Sequence, residues 1–463
     1  MTVMTRVGLV ACASGLALCS ASFADGVANE TEMLRAEVAA LRAEIAQMGG
    51  SQDWLTDQRA DEIRGLVQDV LADADTRASL LQSGMNAGYD NGFFIGTADG
   101  NFSLKINGLL QTRFIYNYRS DWPDGDSDPA KPYDFDTNRW GFDMNNTWLN
   151  FSGNIVNPDW TYNLRAGVDG TTGDFELQDA WLAYAYGGSG WSMMAGQFKV
   201  PLLQENLIDD QYQLAVNRSV VNQIFGLGRT QGLALKYSGD QFRFIGSFND
   251  GAFTDNTVWD TEDTEFAFSA RAEILFAGTW DQMKDFTSFR GEETAFMLGG
   301  GLHWEKSEYG TGTGSGILDP TDPDFSYNDN EIEFISFEID GTLEFGGANL
   351  FGYFVYRDVE VEGADNPNQW AFLVQGGFFL SDEWELFGRY EYTNLDITDT
   401  DDISLFTVGV NKYFAKHGAK WTTDFGFGFN SLSTDFGDAT GWQEDAPGED
   451  GQFVFRSQFQ LHF

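Results

Sequence analysis

The chain has 463 residues, 71 Asp and Glu against 27 Lys and Arg, and a formal net charge of −44. Such acidity disfavours nucleic acid as a partner, because its phosphates would be repelled. Aromatics at 15%, with 53 glycines and 9 prolines, suit many twisted strands joined by tight turns.

Residues 1–24, "MTVMTRVGLVACASGLALCSASFA", combine a basic start at Arg6, an apolar middle and small residues before Asp25. This pattern predicts a secretory signal cleaved after Ala24. Cys12 and Cys19 both lie inside it, so no disulfide or thiolate chemistry is expected in the mature chain. Leu18 is too large for a good lipoprotein site before Cys19. Beyond the signal no run approaches the roughly 18 apolar residues that a spanning helix needs. An exported chain of this kind is either soluble or a barrel.

Residues 25–92 are expected to form a helical, coiled-coil periplasmic segment. Leu34, Leu41 and Met48 fall one heptad apart, with Val38 and Ile45 between them. Two heptads alone are marginal, so the coil gains its value by joining subunits already held together. A second helical stretch, 61–82, repeats apolar residues at three and four through Ile63, Leu66, Val67, Val70 and Leu71. Residues 83–92, "SGMNAGYDNG", read as a loop.

From Phe93 onward the period becomes 2. In "FSLKINGLLQTRFIYNY" (102–118) Phe102, Leu104, Ile106, Leu110, Phe114 and Tyr116 alternate with Ser103, Lys105, Asn107, Gln111 and Arg113. About sixteen such segments are expected, beginning near residues 102, 140, 160, 175, 191, 231, 241, 265, 294, 331, 348, 369, 383, 402, 419 and 452. Long polar connections at 119–139, 201–230, 250–264, 307–330 and 431–451 alternate with tight turns such as 157–159, 187–190, 239–240, 346–347, 381–382 and 416–419. One connection, 277–293, is long where a turn is due.

That alternation places all long loops at one end and predicts an all-β transmembrane barrel over 93–463 with about 16 antiparallel strands. A propeller would need repeated blades, which are absent from the sequence, and a sandwich would hold fewer strands. The final stretch "FVFRSQFQLHF" puts Phe453, Phe455, Phe459, Leu461 and Phe463 on one face. In lipid no sheet edge can stay open, so this strand must pair with the first, its apolar face toward hydrocarbon. Aromatics at strand ends (Trp140, Trp160, Trp191, Tyr186, Tyr390, Tyr392, Trp421) are placed as interfacial girdles are.

The strands also resemble those of the phosphate-selective porin O and P family of bacterial outer-membrane channels. The resemblance spans roughly 93–463 and is carried by "DGNFSLKINGLLQTRF" (99–114), "FELQDAWLAYAY" (175–186), "WSMMAGQFKVPLLQEN" (191–206) and "NRSVVNQIFGLGRTQGLALKYSGDQFRF" (217–244). It implies a trimeric sixteen-stranded porin whose third long loop, here 201–230, folds into the lumen and narrows it. The terminus at Phe463 resembles the insertion signal read by outer-membrane assembly machinery.

Pore chemistry depends on what faces the lumen. The polar register of the strands points Lys105, Arg113, Arg165, Lys236, Arg243, Arg271, Arg357, Arg389 and Arg456 inward, beside Asp169, Glu176, Glu273, Glu333, Glu385, Glu391 and Asp424. Each charge can neutralise a cross-strand neighbour; nine bases facing water would together suit small anionic or zwitterionic solutes. The constriction loop adds Glu205, Asp209, Asp210, Arg218 and Arg229, opposed signs across an eyelet. The acidic stretches 121–130 and 442–451 are expected to be solvated outer loops, weak Ca²⁺ or Mg²⁺ sites at most.

His303, His417 and His462 sit in no nucleophile-elbow, zinc or phosphate-cradle motif, so no cofactor and no catalysis are expected. The leading function is a water-filled porin for passive diffusion of small hydrophilic solutes in the bacterial outer membrane. The alternatives are an anion- or phosphate-selective channel and a tether from outer membrane to cell wall with the barrel as anchor. An outer-membrane phospholipase would require a Ser–His pair at the lipid face. Expected partners are outer-membrane lipids, small solutes or ions, the assembly machinery and two further copies of the chain.

Overall fold

A computed structural model describes residue 39 and residues 84–120, 137–168, 170, 173–259, 264–307, 332–361, 366–396, 402–432, 436–445 and 449–463. The signal peptide, both helical stretches (31–48 and 61–82), the acidic 121–130 segment and Asp169 lie outside these residues, apart from Ala39. The chain divides into two compact units, Met1–Ser83 and Gly84–Phe463, and the strands described below all belong to the second.

Nineteen strands run in chain order. The first nine are β1 (Met85–Tyr89), β2 (Phe93–Thr97), β3 (Ser103–Tyr118), β4 (Asn138–Asp143), β5 (Thr147–Asn154), β6 (Trp160–Val168), β7 (Phe175–Ala185), β8 (Trp191–Lys199) and β9 (Arg229–Ser238). Then come β10 (Phe242–Asn249), β11 (Thr264–Ala277), β12 (Ala295–Ser307), β13 (Ile332–Glu344) and β14 (Ala348–Val361). The last are β15 (Asn368–Phe379), β16 (Trp384–Asn394), β17 (Asp402–Tyr413), β18 (Ala419–Gly428) and β19 (Phe453–His462).

β4 and β5 pair with successive halves of β3 and form one strand broken at residues 144–146, so the wall is a closed antiparallel barrel of 16 strands. Closure comes from β19 against β3, in register from Phe453↔Tyr118 to His462↔Leu109. Among the described residues no helix is long and apolar enough to cross a membrane. The strands do the crossing.

The terminal strand shows why its sequence alternates. Phe455, Phe459, Leu461 and Phe463 are exposed on the outer face, whereas Val454, Arg456, Gln458 and Gln460 are buried inside. The same division runs round the ring, with Leu233, Phe248, Phe268, Leu302, Ile339, Leu350, Val374 and Val408 all pointing outward. A soluble protein could not leave so large an apolar belt in water.

The structure departs from the sequence reading in several places. Residues 83–92 hold a strand rather than a loop: β1 and β2 make a hairpin whose second strand pairs with β3 at Phe93↔Ile106, directly below the chain terminus. Glu333 is on the outward register with Ile335, where it accepts from Trp304 Nε1 at 2.7 Å. A one-residue shift in the β6–β7 pairing, at Gln178, changes the phase of the strand and brings both Asp179 and Glu176 opposite inward positions of β6.

The largest departure is the interior. A purely polar inner wall does not occur, because apolar residues alternate with buried polar ones among the inward positions of β13 to β17. Phe334, Phe351, Tyr353, Val355, Leu373, Phe387 and Leu405 join one buried cluster with Leu202, Leu203, Leu214, Val221, Ile224, Phe225 and Leu227 of the loop between β8 and β9. These strands carry apolar side chains on both faces because one face meets lipid and parts of the other meet a folded loop. On this side the loop is packed against the wall.

Candidate functional site

The loop between β8 and β9 enters the barrel and is built from short turns: α1 (Gln204–Leu207), a 3₁₀ turn at Asp210–Tyr212 and α2 (Val220–Phe225). Ser219 caps α2, its Oγ accepting from Asn222 N at 2.8 Å. The N–H groups of Val220 and Val221 donate to Glu391 Oε2 on β16. Apolar packing on β13 to β17 and this polar clamp hold the loop from one side.

Glu205 completes the clamp. It is fully buried and accepts from Ser219 N at 2.8 Å, Ser219 Oγ at 2.5 Å and Tyr353 Oη at 2.8 Å. It faces the loop–wall seam and not the eyelet. A buried carboxylate with three donors is an anchor.

Two further connections fold inward. The long connection at 278–294 lies at the rim of the short turns, and its Phe286 packs on Phe351 while Phe286 N donates to Tyr212 O at 3.3 Å. From the opposite rim, the loop before β19 buries Trp442 against Gly426, where a Cβ would stand 2.6 Å from the indole. Carbonyls of that loop take Arg113 Nη1 (Ala439 O, 3.0 Å), Arg456 Nη1 (Thr440 O, 2.8 Å) and Asn117 Nδ2 (Gly441 O, 2.9 Å). In this loop Asp445 is also buried, accepting from Leu432 N and Gln452 Nε2, so Trp442, Gln443 and Asp445 of the 442–451 stretch are not a solvated surface.

Eight of the nine inward bases divide in two, and the ninth, the buried Arg165, pairs with Asp209 of the constriction loop. Arg113, Arg271, Arg357, Arg389 and Arg456 are buried under the folded loops. Arg271 binds Glu273, Glu338 and Asp340; Arg389 binds Glu391; Arg456 binds Asp424 at 2.7 Å. Arg113 pairs with Asp143, and Arg357 sits over the Phe225 ring. They fasten loops to wall instead of facing water. Lys105, Lys236 and Arg243 keep partial exposure, as does Arg229 at the start of β9.

Away from that packed side, a cavity of about 410 Å³ lies between the loop and β6 to β11. Arg165, Lys199, Lys236, Arg243 and Arg271 line it with Asp179, Asp209 and Glu273. Every acid there is engaged. Asp209 takes Arg165 at 2.9 Å and Lys199 at 3.1 Å; Asp179 takes Arg229 at 3.0 Å and Arg165 at 3.6 Å; Glu273 takes Arg271. Across the 209–210 step, Asp210 pairs with Arg218, and both line a second, more polar space of about 190 Å³.

Lys236 and Arg243 have no carboxylate within ion-pair distance among the described residues. Each rests on a ring instead, Lys236 over Trp181 at 5.3 Å and Arg243 over Trp280 at 4.2 Å. They are diagonal neighbours on adjacent strands, since Lys236 stands opposite Ile245 and Arg243 opposite Ser238. Two cations without a direct ion-pair contact therefore face one cavity, although Arg243 stands across the β10–β11 pair from Glu273. Lys199, in the "GQFKVP" piece, escaped the sequence reading because it ends its strand, where alternation no longer assigns a face.

The histidines are structural in setting. His303 bonds Ser269 Oγ at 2.9 Å and Glu305 at 3.1 Å, an order of groups that a hydrolase could use. All three are buried and inward, and Glu305 holds the backbone N–H of Ala252 at 2.8 Å. The constellation fastens a loop and is not at the lipid face. His417 packs edge-on to Tyr212, and His462 to Trp148. Among the described residues no group of three or more His, Cys, Asp or Glu could hold a metal ion.

A closed barrel with a lipid-facing belt, an inward constriction loop and a charged cavity is an outer-membrane channel. Residues 114–285 match the family model described as phosphate-selective porin O and P. No curated protein matches the chain. Among solved structures it is similar to an anion-selective porin from Comamonas acidovorans, at 12% identity over 78% of this chain and 100% of that one, with a TM-score of 0.54. It is also similar to the outer membrane channel DcaP of Acinetobacter baumannii (13% identity, 81% and 100% covered, TM-score 0.49) and to OmpT of Vibrio cholerae (14%, 78% and 98%, 0.47). The chain resides in the bacterial outer membrane.

Proposed function

We propose that the protein is a passive diffusion channel that favours small anions, with the β8–β9 loop setting its bore. The observation that supports the preference is the cavity beside the loop, where Lys236 and Arg243 lack ion-pair partners while every acid is neutralised by a neighbouring base. In a narrow, low-dielectric passage an uncompensated cation lowers the barrier for anions and raises it for cations. The overall charge of −44 does not oppose this reading, because selectivity is decided at the narrowest point and not at the mouths. The family resemblance supports a homotrimer, which native mass measurement in detergent checks.

The zero-current potential across a planar bilayer under a KCl gradient tests the proposal. The wild type is expected to show the sign of chloride preference, and Lys236→Gln with Arg243→Gln to move the potential toward zero. A wild-type potential of cation sign overturns it.

A further inference from the structure

Water gains nothing from apolar contact, so a pore that passes only ions and water has no use for an apolar cluster on its inner wall. Yet Ala183, Met194, Phe198 and Ala234 pack together on the inward faces of β7, β8 and β9, with Trp181 and Ile245 against them. The cluster's four core members are buried, but the partly buried Trp181 and Ile245 open toward free space rather than a packed loop. Trp181, Met194, Phe198 and Ile245 all border the 410 Å³ cavity, and Leu207 of the loop borders it too.

Lys236 and Arg243 stand on the same lining, so the cavity has an apolar floor and a cationic edge. Its volume and its mix of apolar surface with a few placed charges are those of a site for a compact organic molecule. Chloride or inorganic phosphate would use only the edge and leave the floor in contact with water.

We propose that this cavity is a subsite for small amphiphilic anions, molecules with one carboxylate and an apolar ring or chain. The inference rests on the anion-favouring reading above and names its substrate class. The carboxylate pairs with Lys236 and Arg243, while the apolar body lies against Trp181, Ile245 and Leu207. A cationic amphiphile is refused at the edge, and a carboxylate without an apolar body loses the floor contact, worth about 25 cal/mol for each Å² covered.

Single-channel chloride current through the full-length channel tests the subsite, with benzoate, acetate and inorganic phosphate added in turn. Benzoate is expected to reduce the current at a concentration at least about tenfold below that of acetate or phosphate. Leu207→Ser with Ile245→Thr is expected to narrow that gap to less than about threefold, and Lys236→Gln with Arg243→Gln to weaken the block by benzoate. Equal block by benzoate and acetate in a wild-type channel that still prefers chloride over potassium overturns the subsite alone. A gap that survives intact in the Leu207 and Ile245 variant also overturns it. A wild type that prefers potassium overturns the anion reading beneath it.

Discussion

Arg165 on β6 holds Asp209 on the constriction loop with both terminal nitrogens, at 2.9 and 3.0 Å. Lys199 adds a third contact at 3.1 Å, so one carboxylate ties the loop to two strands of the wall. Burial pushes the Asp209 carboxyl upward, but Lys199 and Arg165 outweigh it and hold the group well below the usual carboxylate range. A folded value below the unfolded one means that the contribution is present above about pH 4 and lost only as pH falls through the depressed value. Conductance and its noise are therefore expected to stay constant between about pH 7 and pH 4.5. Asp209→Asn is expected to show more current fluctuation at pH 7, and single-channel recording at both pH values checks this.

Glu205 clamps the other side of the loop, and its removal strands Ser219 N, Ser219 Oγ and Tyr353 Oη in a buried seam. Leaving such donors unmet costs on the order of 1–3 kcal/mol. Glu205→Ala is expected to loosen the loop, raise mean conductance and broaden its distribution, with the barrel still folded. An unchanged single-level conductance would contradict this role for Glu205.

Much of this molecule was legible from alternation alone, and what escaped has a physical cause. The strands, the short and long rims and the pairing of the last strand with the first stem from side chains that must face lipid on one side. The interior is less legible. Phe351, Tyr353 and Val355 look the same whether they meet lipid, core or loop, so nothing local reveals that the β8–β9 loop lies on them. For the same reason Arg357 and Arg456 read as water-facing bases, although burial makes them fasteners. Glu333 misled because the inward register of its strand opens on Ile332 and Phe334 and turns polar only from Ser336 onward, so the first residues alternate the wrong way. The long 277–293 connection was visible as an irregularity, and its inward path depends on a contact between Phe286 and Phe351 that lies 65 positions apart in the chain.

Arg456 and Asp424 form a fully buried pair at 2.7 Å between adjacent strands. Removing one partner leaves a charge without compensation, a loss of about 3–5 kcal/mol, whereas replacing both with neutral groups of similar size costs much less. Arg456→Met is expected to lower the urea midpoint of unfolding in detergent markedly, and adding Asp424→Asn to recover a large share. If the double variant is as weak as the sum of the single ones, the pair is not coupled as described.

Val408 lies near the middle of β17 on the outer face, one residue from the buried, inward Thr407. An arginine at the bilayer midplane on the lipid side of a barrel costs about 2–4 kcal/mol. Val408→Arg is expected to reduce folding stability in lipid vesicles by that amount. A neutral effect would mean that this face does not meet hydrocarbon.

Both cysteines of the chain, Cys12 and Cys19, precede the barrel, so a single introduced thiol there has no competitor. The most direct test of a cation-lined water path places that thiol at Lys236 and, as a control, at Val408, and applies a charged methanethiosulfonate reagent while current is recorded in a planar bilayer. The account predicts a stepwise fall in current for Lys236→Cys and none for Val408→Cys. Current that persists unchanged after reagent reaches Lys236→Cys would contradict it.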